Sequence, residues 1–273
     1  MSIGGRSSST YINYCRSLAN VALHFGVCPQ ELDSEQVEEY LHYLKKSKFT
    51  PSESAFKHTV YGLRYMYKVL GMKDMHISLP SIADDKKLPV VMSREEVKLM
   101  LKTPNLLKHR LILGMLYACG LRCSELCNLE QRDVDFDRKM VHIRQGKGRK
   151  DRYVPLSEHL VRGLKTYLYA ESPVRWLFNP AKPDSEGKPL PYSTRGIQFV
   201  VYSTRKKASM KKDVTTHTFR HTFATHLLEE GLDIMSIKDL LGHTRIETTL
   251  VYLHVAQNGR VKPFSPLDTL YKD

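Results

Sequence analysis

The stretch "DVDFDRKMVHIRQGKGRKDRYVPLS", residues 133–157, is where the reading of the fold turns. Within it, "KMVHIRQ" and "DRYVPL" alternate apolar and polar residues with period two, the mark of half-buried strands. The "GKGRK" between them has the glycines and polarity of a turn. An antiparallel hairpin is therefore expected here. Everywhere else the apolar period is helical, so the reading is a mainly α protein with a small antiparallel β-sheet.

Upstream of the hairpin, "SREEVKLMLKT" starts a helix with Ser93 as cap and Glu96 three residues on, the pattern of a capping box. A longer helix is expected over 106–119, followed by the turn and short helix of "GLRCSELCNL". Downstream, helices resume at Glu158 and are interrupted by the proline-rich loop "NPAKPDSEGKPLPYS". The first ninety residues read as helices throughout. Tyr11, Tyr14, Leu18, Val21, Ala22 and Phe25 have helical spacing, and "TPSESAFKHTVYGLRYMYKVLG" has Pro51 near its start and Gly71 after its end. The expected organisation is a helical domain over 1–82, a linker over 83–91 next to Pro80 and Pro89, a second domain over 92–258 and a tail over 259–273. Pro263 and Pro266 break helical continuity in that tail.

Five cysteines, an odd number, and an N-terminus without the apolar stretch of a secretory signal predict reduced thiols and a cytoplasmic protein. Cys119, Cys123 and Cys127 would share one helix face if the helix continued that far, and read as small buried residues rather than metal ligands. The net charge is +13 over 273 residues. Residues 1–90 hold 11 basic and 9 acidic residues; residues 91–273 hold 31 and 20, so the surplus is +2 in the first part and +11 in the second. A local surplus of that size points to a polyanionic partner.

Several polar side chains stand in apolar or turn-rich surroundings: Arg122, Lys147, His217, Arg220, His243 and Tyr252. Each alone has an ordinary reading, as an ion-pair partner, a solvated turn residue or core filling. Together they are the groups that phosphodiester transfer requires without a metal. In-line attack places negative charge on the nonbridging oxygens, and two guanidiniums can neutralise it with planar donor forks. A histidine can accept the nucleophile's proton, and a lysine can protonate the leaving 5′-oxygen. A tyrosine nucleophile keeps the phosphoryl group as a covalent phosphotyrosine, so the strand can be resealed without ATP or Mg²⁺. No cofactor and no metal are expected. His217–His221 has the i,i+4 spacing of a zinc helix, but Thr218 stands where HExxH requires its glutamate, and His226 completes a His-rich box without ligand spacing.

With those residues in place, the chain resembles the tyrosine recombinases of the phage-integrase family, in particular compact Xer-like and transposon-encoded members. "GLRCSELCNL" resembles the family's first arginine motif, "GKGRKDRYVPL" its hairpin lysine motif, "HTFRHTFATHLL" its HxxR box, and "LLGHTRIETTLVYLHV" its second histidine followed by the tyrosine. The match runs over about residues 93–257. The resemblance implies a two-domain clamp: an N-terminal helical core-binding (SAM-like) domain and an α+β catalytic domain. It implies that Arg122 and Arg220 clamp the scissile phosphate, that His243 donates to it, and that Lys147 is the general acid. His217 would assist proton transfer at the nucleophile, and Tyr252 would form a 3′-phosphotyrosyl link. Glu125 matches an accessory acid that orients the arginine. Among the bases flanking Lys147 (Arg149, Lys150 and Arg152), Lys150 is the fallback for the acid.

Further DNA contacts are expected from Arg205, Lys206, Lys207, Lys211 and Lys212, packed into "STRKKASMKK", and from Lys57 and Arg64, seven residues apart on one helical face. Tyr61, Leu63, Met66 and Val69 on that helix read as core. The implied partners are double-stranded DNA recombination sites, with a tetramer on two sites and a monomer when free. Two rival readings remain at this point: a type IB-like topoisomerase, which relaxes DNA without a preferred site, and a DNA-binding regulator that does not cleave.

Overall fold

The alternating segments pair as neighbouring antiparallel strands in the computed structural model, which describes residues 8–46, 52–77, 79–80, 88–144, 151–180 and 183–256. A two-residue strand, β1 (Val134–Asp135), pairs with β2 (Met140–Ile143), and β2 pairs with β3 (Arg152–Pro155), giving the order β1-β2-β3. The β2–β3 register runs from Met140↔Pro155 to Ile143↔Arg152. Val141, Ile143 and Val154 point into the core, so the period-two pattern is that of a sheet with one wet face. β1 was not expected. It is too short to show a period, and local hydrogen bonding creates it: the Asp135 carboxylate accepts the N–H groups of Asp137 (3.1 Å) and Arg138 (2.8 Å), turning the chain back onto β2. The expected turn, with Lys147, Arg149 and Lys150, lies outside the described residues, as do residues 83–87 of the expected linker and the tail over 259–273.

The chain divides into two units, residues 1–86 and 87–273. The first unit contains α1 (Ser8–Phe25), α2 (Ser34–Lys46), α3 (Ser52–Leu70) and α4 (Lys73–Ile77). Asp33 and Gln36 exchange backbone-to-side-chain hydrogen bonds of 2.8 and 3.0 Å, which sets the start of α2. Val21, Leu32, Val37, Tyr40, Leu41, Val60, Leu63 and Tyr67 form its core. Met66 packs against that core and Tyr61 is half-buried, but Val69 is 66% exposed. Two positions beyond Tyr67, Val69 has turned to the outer face of the helix, which corrects the expectation for it.

The second unit contains α5 (Arg94–Lys102), α6 (Leu107–Ala118), α7 (Cys123–Cys127), the sheet, α8 (Glu158–Glu171), α9 (Thr194–Lys207), α10 (Thr216–Glu229), α11 (Ile234–Leu241) and α12 (Glu247–Leu250). The capping box of α5 is present: the Ser93 side chain accepts from the Glu96 N–H (3.2 Å), and Glu96 accepts from the Ser93 N–H (2.7 Å). Six successive residues of α6, Leu111–Leu116, are buried. Such a helix is covered on all sides, and α5, α8, α9 and α10 all pack against it.

The three cysteines do not share one helix. α6 ends at Ala118, and Gly120 adopts φ +56, so Cys119 caps one helix while Cys123 begins the next. Cys119 and Cys127 are buried and Cys123 is half-buried. Among the described residues no helix is long and apolar enough to cross a membrane.

Candidate active site

Four separated segments converge on one pocket, and two glycine turns let them meet. At the first turn a side chain on Gly120 would have its Cβ 2.4 Å from the Phe223 ring, and φ +56 is costly for any other residue. That turn delivers Arg122 to the N-terminus of α7, where its N–H donates to Glu125 Oε2 (2.8 Å) and its Nη1 donates to Glu125 Oε1 (2.7 Å). At the second turn Gly242, with φ +62, ends α11 and turns the chain into His243.

Arg220 reaches the same place from α10. Only 3% of it is exposed. Its Nη1 donates to the Gly120 carbonyl (2.6 Å), its Nη2 donates to the Leu241 carbonyl, and it stands 3.9 Å from Glu125. Both glycine turns are therefore tied to one guanidinium. His243 places Nδ1 2.9 Å from the hydroxyl of the fully buried Thr249, which fixes the ring and leaves its Nε2 edge for another partner. Tyr252 lies in a 3-10 turn, Val251–His254, rather than in the continuous helix its sequence suggests. Its ring packs with Phe223, Leu228, Ile237 and Leu241, it is 1% exposed, and its hydroxyl is 3.1 Å from His221 Nδ1.

Two residues that the sequence reading set aside belong to this pocket. Arg152, on β3, donates from Nη1 and Nη2 to the two oxygens of Glu125 (3.0 and 2.7 Å) and from Nε to the Leu240 carbonyl (2.8 Å). His221, not His217, is the histidine at the Tyr252 hydroxyl. His217 is exposed on the first turn of α10, with its ring 6.3 Å from that of His221. Both assignments had a faint sequence signal. Arg152 lies two residues before the inward-facing Val154 and so shares its face of β3, and His221 lies one helical turn beyond His217.

The charges are uneven. Three guanidiniums (Arg122, Arg152 and Arg220) surround one carboxylate, Glu125, so positive charge is in excess there. Burial alone would raise the Glu125 carboxyl; the hydrogen bonds and charge of Arg152, followed by those of Arg122, outweigh it and hold it at about 2. Burial and then the neighbouring guanidiniums push His243 down to about 3. Burial, then His217 and Arg220, push His221 down to about 4. Burial and repulsion by Arg122 lower Arg220 to about 9, which keeps it charged at neutral pH. Burial raises the Tyr252 phenol, while the charges of Arg220 and Arg122 pull it the other way. The pocket thus holds permanent cations and neutral imidazoles, a receptor for an anionic phosphate.

The remaining expectations divide. His226 is buried between the Tyr117 hydroxyl (2.9 Å) and the Met92 carbonyl (3.0 Å), a structural role. Among the described residues no His, Cys, Asp and Glu side chains form a metal-binding group. In the basic stretch, Arg205 pairs with Asp213, and Lys212 donates to Glu96 (2.6 Å) and to the Val91 carbonyl (2.9 Å), so both brace the fold. Lys206, Lys207 and Lys211 are exposed, with Lys206 over the Tyr202 ring at 5.8 Å. In the first unit Arg64 donates to the carbonyls of Leu79 (3.2 Å) and Pro80 (2.6 Å), and Lys57 is half-buried.

Comparison with known proteins agrees with this geometry. Residues 90–258 match the family described as the phage integrase family. A tyrosine recombinase named XerA from Thermococcus kodakarensis is 37% identical over 228 residues, covering 82% of this chain and 78% of that protein. A tyrosine recombinase from Thermosipho africanus is 32% identical over 267 residues, covering 93% and 91%. Among solved structures, a XerA recombinase crystal structure is 28% identical with a TM-score of 0.56, covering 92% of this chain and 89% of that one. A lambda integrase dimer bound to a core site shares the fold, with a TM-score of 0.70 at 16% identity, covering 96% and 93%. A pocket with two arginines, a histidine and a tyrosine in the family's order, on a chain matched over most of its length, has one reading: this protein belongs to the phage integrase family of tyrosine recombinases.

Proposed function

We propose that this protein is a site-specific DNA recombinase, an integrase that cuts and rejoins strands through a 3′-phosphotyrosine. The observation that carries the proposal is the cationic pocket of Arg122, Arg152 and Arg220 with neutral His243 beside it and the Tyr252 hydroxyl at its edge. In cleavage the Tyr252 oxygen forms a bond to phosphorus and the bond to the 5′-oxygen breaks. The electron pair leaves on that oxygen, which takes a proton from Lys147. Arg122 and Arg220 hold the nonbridging oxygens, and His243 donates to one of them from Nε2. The phenol proton passes to His221, the imidazole in contact with it, with His217 next in line toward solvent. Reversal with a different 5′-hydroxyl rejoins the strand, so neither ATP nor metal is consumed.

Burial keeps the phenol protonated in the DNA-free protein. Turning the hydroxyl toward the phosphate pocket removes that burial and keeps the attraction of Arg220 and Arg122, so the reactive position is also the one where the phenoxide is best stabilised. Residues 92–258 carry the chemistry, and residues 1–82 add duplex contacts. Exposed Lys206, Lys207 and Lys211 contact the DNA backbone. Exchange takes place in a tetramer on two sites in the cytoplasm, with the free protein monomeric.

Trapping on a nicked duplex tests the proposal. A covalent adduct forms in EDTA without ATP, disappears in Tyr252→Phe, and is nearly abolished in Arg122→Ala and Arg220→Ala. An adduct of normal yield with Phe at 252 would overturn the site. Relaxation of any supercoiled plasmid, without a preferred sequence, would instead favour the topoisomerase reading.

A further inference from the structure

We infer that Arg152 is a positioning residue of the active site: it occupies both oxygens of Glu125 so that Arg122 and Arg220 stay directed at the phosphate. The inference rests on the phosphate-clamp reading above and adds a third guanidinium to it. A buried carboxylate beside two catalytic arginines is a hazard as well as a support. Left alone, it competes with the scissile phosphate for their donors. Here Oε2 lies 2.7 Å from Arg152 Nη2 and 3.9 Å from Arg220 Nη1. Arg152 therefore holds the nearer contact, and Arg220, fixed by one donor from each Nη to the Gly120 and Leu241 carbonyls, keeps its remaining N–H donors for the phosphate. Arg122 keeps a single guanidinium contact with Oε1 (2.7 Å) and so retains donors for a second anion.

A second observation points to the same role. The Arg152 side chain lies against the Gly242 turn, where a Cβ would meet its Cδ and Nη1 at 3.2 Å. Its Nε also binds the Leu240 carbonyl at 2.8 Å. One planar group thus spans from the Arg122 turn to the turn that carries His243, and only 8% of its side chain is exposed. Lysine could not replace it, because an ammonium lacks the rigid fork that reaches two carboxylate oxygens and a carbonyl together.

The experiment compares single-turnover adduct formation by the full chain on nicked duplex with DNA affinity and thermal midpoint. Variants are Arg152→Gln, Arg152→Lys, Glu125→Gln and the double variant Arg152→Gln/Glu125→Gln. Arg152→Gln is expected to slow cleavage by about 10²-fold, the scale of a small misplacement of reacting groups, with DNA affinity nearly unchanged. Arg152→Lys recovers little. The double variant cleaves faster than Arg152→Gln alone, because the freed carboxylate is what harms the clamp. Losses that simply multiply would show a structural role only and overturn the proposal.

Should Arg152→Gln fail to fold, Arg152→Lys and the double variant Arg152→Lys/Glu125→Gln carry the same test: the double variant cleaves faster than Arg152→Lys alone, and losses that simply multiply overturn the proposal. Adduct formation at the wild-type rate by Arg122→Ala would instead refute the clamp reading itself, which separates the two failures.

Discussion

At the residue scale, the tyrosine shows how little a local environment reveals of chemistry. Tyr252 is buried like a core residue and packs with Phe223 and Leu241, yet its hydroxyl meets His221. Tyr252→Phe should therefore cost only about 1 kcal/mol of stability, the net value of one hydrogen bond, while eliminating the covalent adduct. Urea denaturation alongside the trapping assay separates the two effects. The histidines carry a pH signature. His243 at about 3 and His221 at about 4 lie below the value near 6.5 of an unfolded chain. The unfolded state thus binds more protons as pH falls through that window. The stability they contribute is complete above about 6.5 and is lost progressively toward 3–4. The urea midpoint should fall between pH 7.5 and pH 5, and His243→Gln should flatten that slope. A bound phosphate raises both pKa values, so binding DNA at pH 6 should take up protons, measurable by calorimetry in buffers of different ionisation enthalpy.

At the element scale, boundaries set by local chemistry were legible and boundaries set by partners were not. The Ser93/Glu96 capping box was visible as a pair of residues three apart and is present as read. Ser93→Ala should cost about 1 kcal/mol, read as a shift in the denaturation midpoint. The β2–β3 pairing followed from its period, whereas β1 depends on an Asp135 turn that leaves no period behind. The glycine turns matter more. Gly120→Ala combines a left-handed backbone with a collision against Phe223, a cost of about 3 kcal/mol from both sources. Because that turn sets Arg122, cleavage should fall further than the thermal midpoint alone explains. Gly242→Ala meets Arg152 at 3.2 Å and should act in the same direction more mildly.

At the scale of the whole molecule, charge and cores divide the labour. The +11 surplus lies in residues 91–273, the part that holds the pocket of Arg122, Arg152 and Arg220. DNA affinity should fall by about 10³-fold or more between 50 and 200 mM salt if six or more phosphates are contacted. Fluorescence anisotropy across that range measures the slope, and Lys206→Ala, Lys207→Ala and Lys211→Ala should each reduce it by about one. Arg205→Ala and Lys212→Ala should instead lower stability, since these side chains brace Asp213 and Glu96. In the sequence all five look alike, because a run of bases does not reveal which members find acids nearby.

Chain order and residue type alone determined the helical period, the paired strands and the capping box, and they singled out Arg122, Arg220, His243 and Tyr252, which the fold brings together, because each depends on neighbours a few residues apart or on chemistry that tolerates few substitutes. Tertiary structure decided what those groups touch. That His221 rather than His217 meets the Tyr252 hydroxyl, and that Arg152 rather than solvent occupies Glu125, depends on packing among β3, α7, α10 and α11. Those contacts join residues 31 and 27 positions apart, and no local period records such distances.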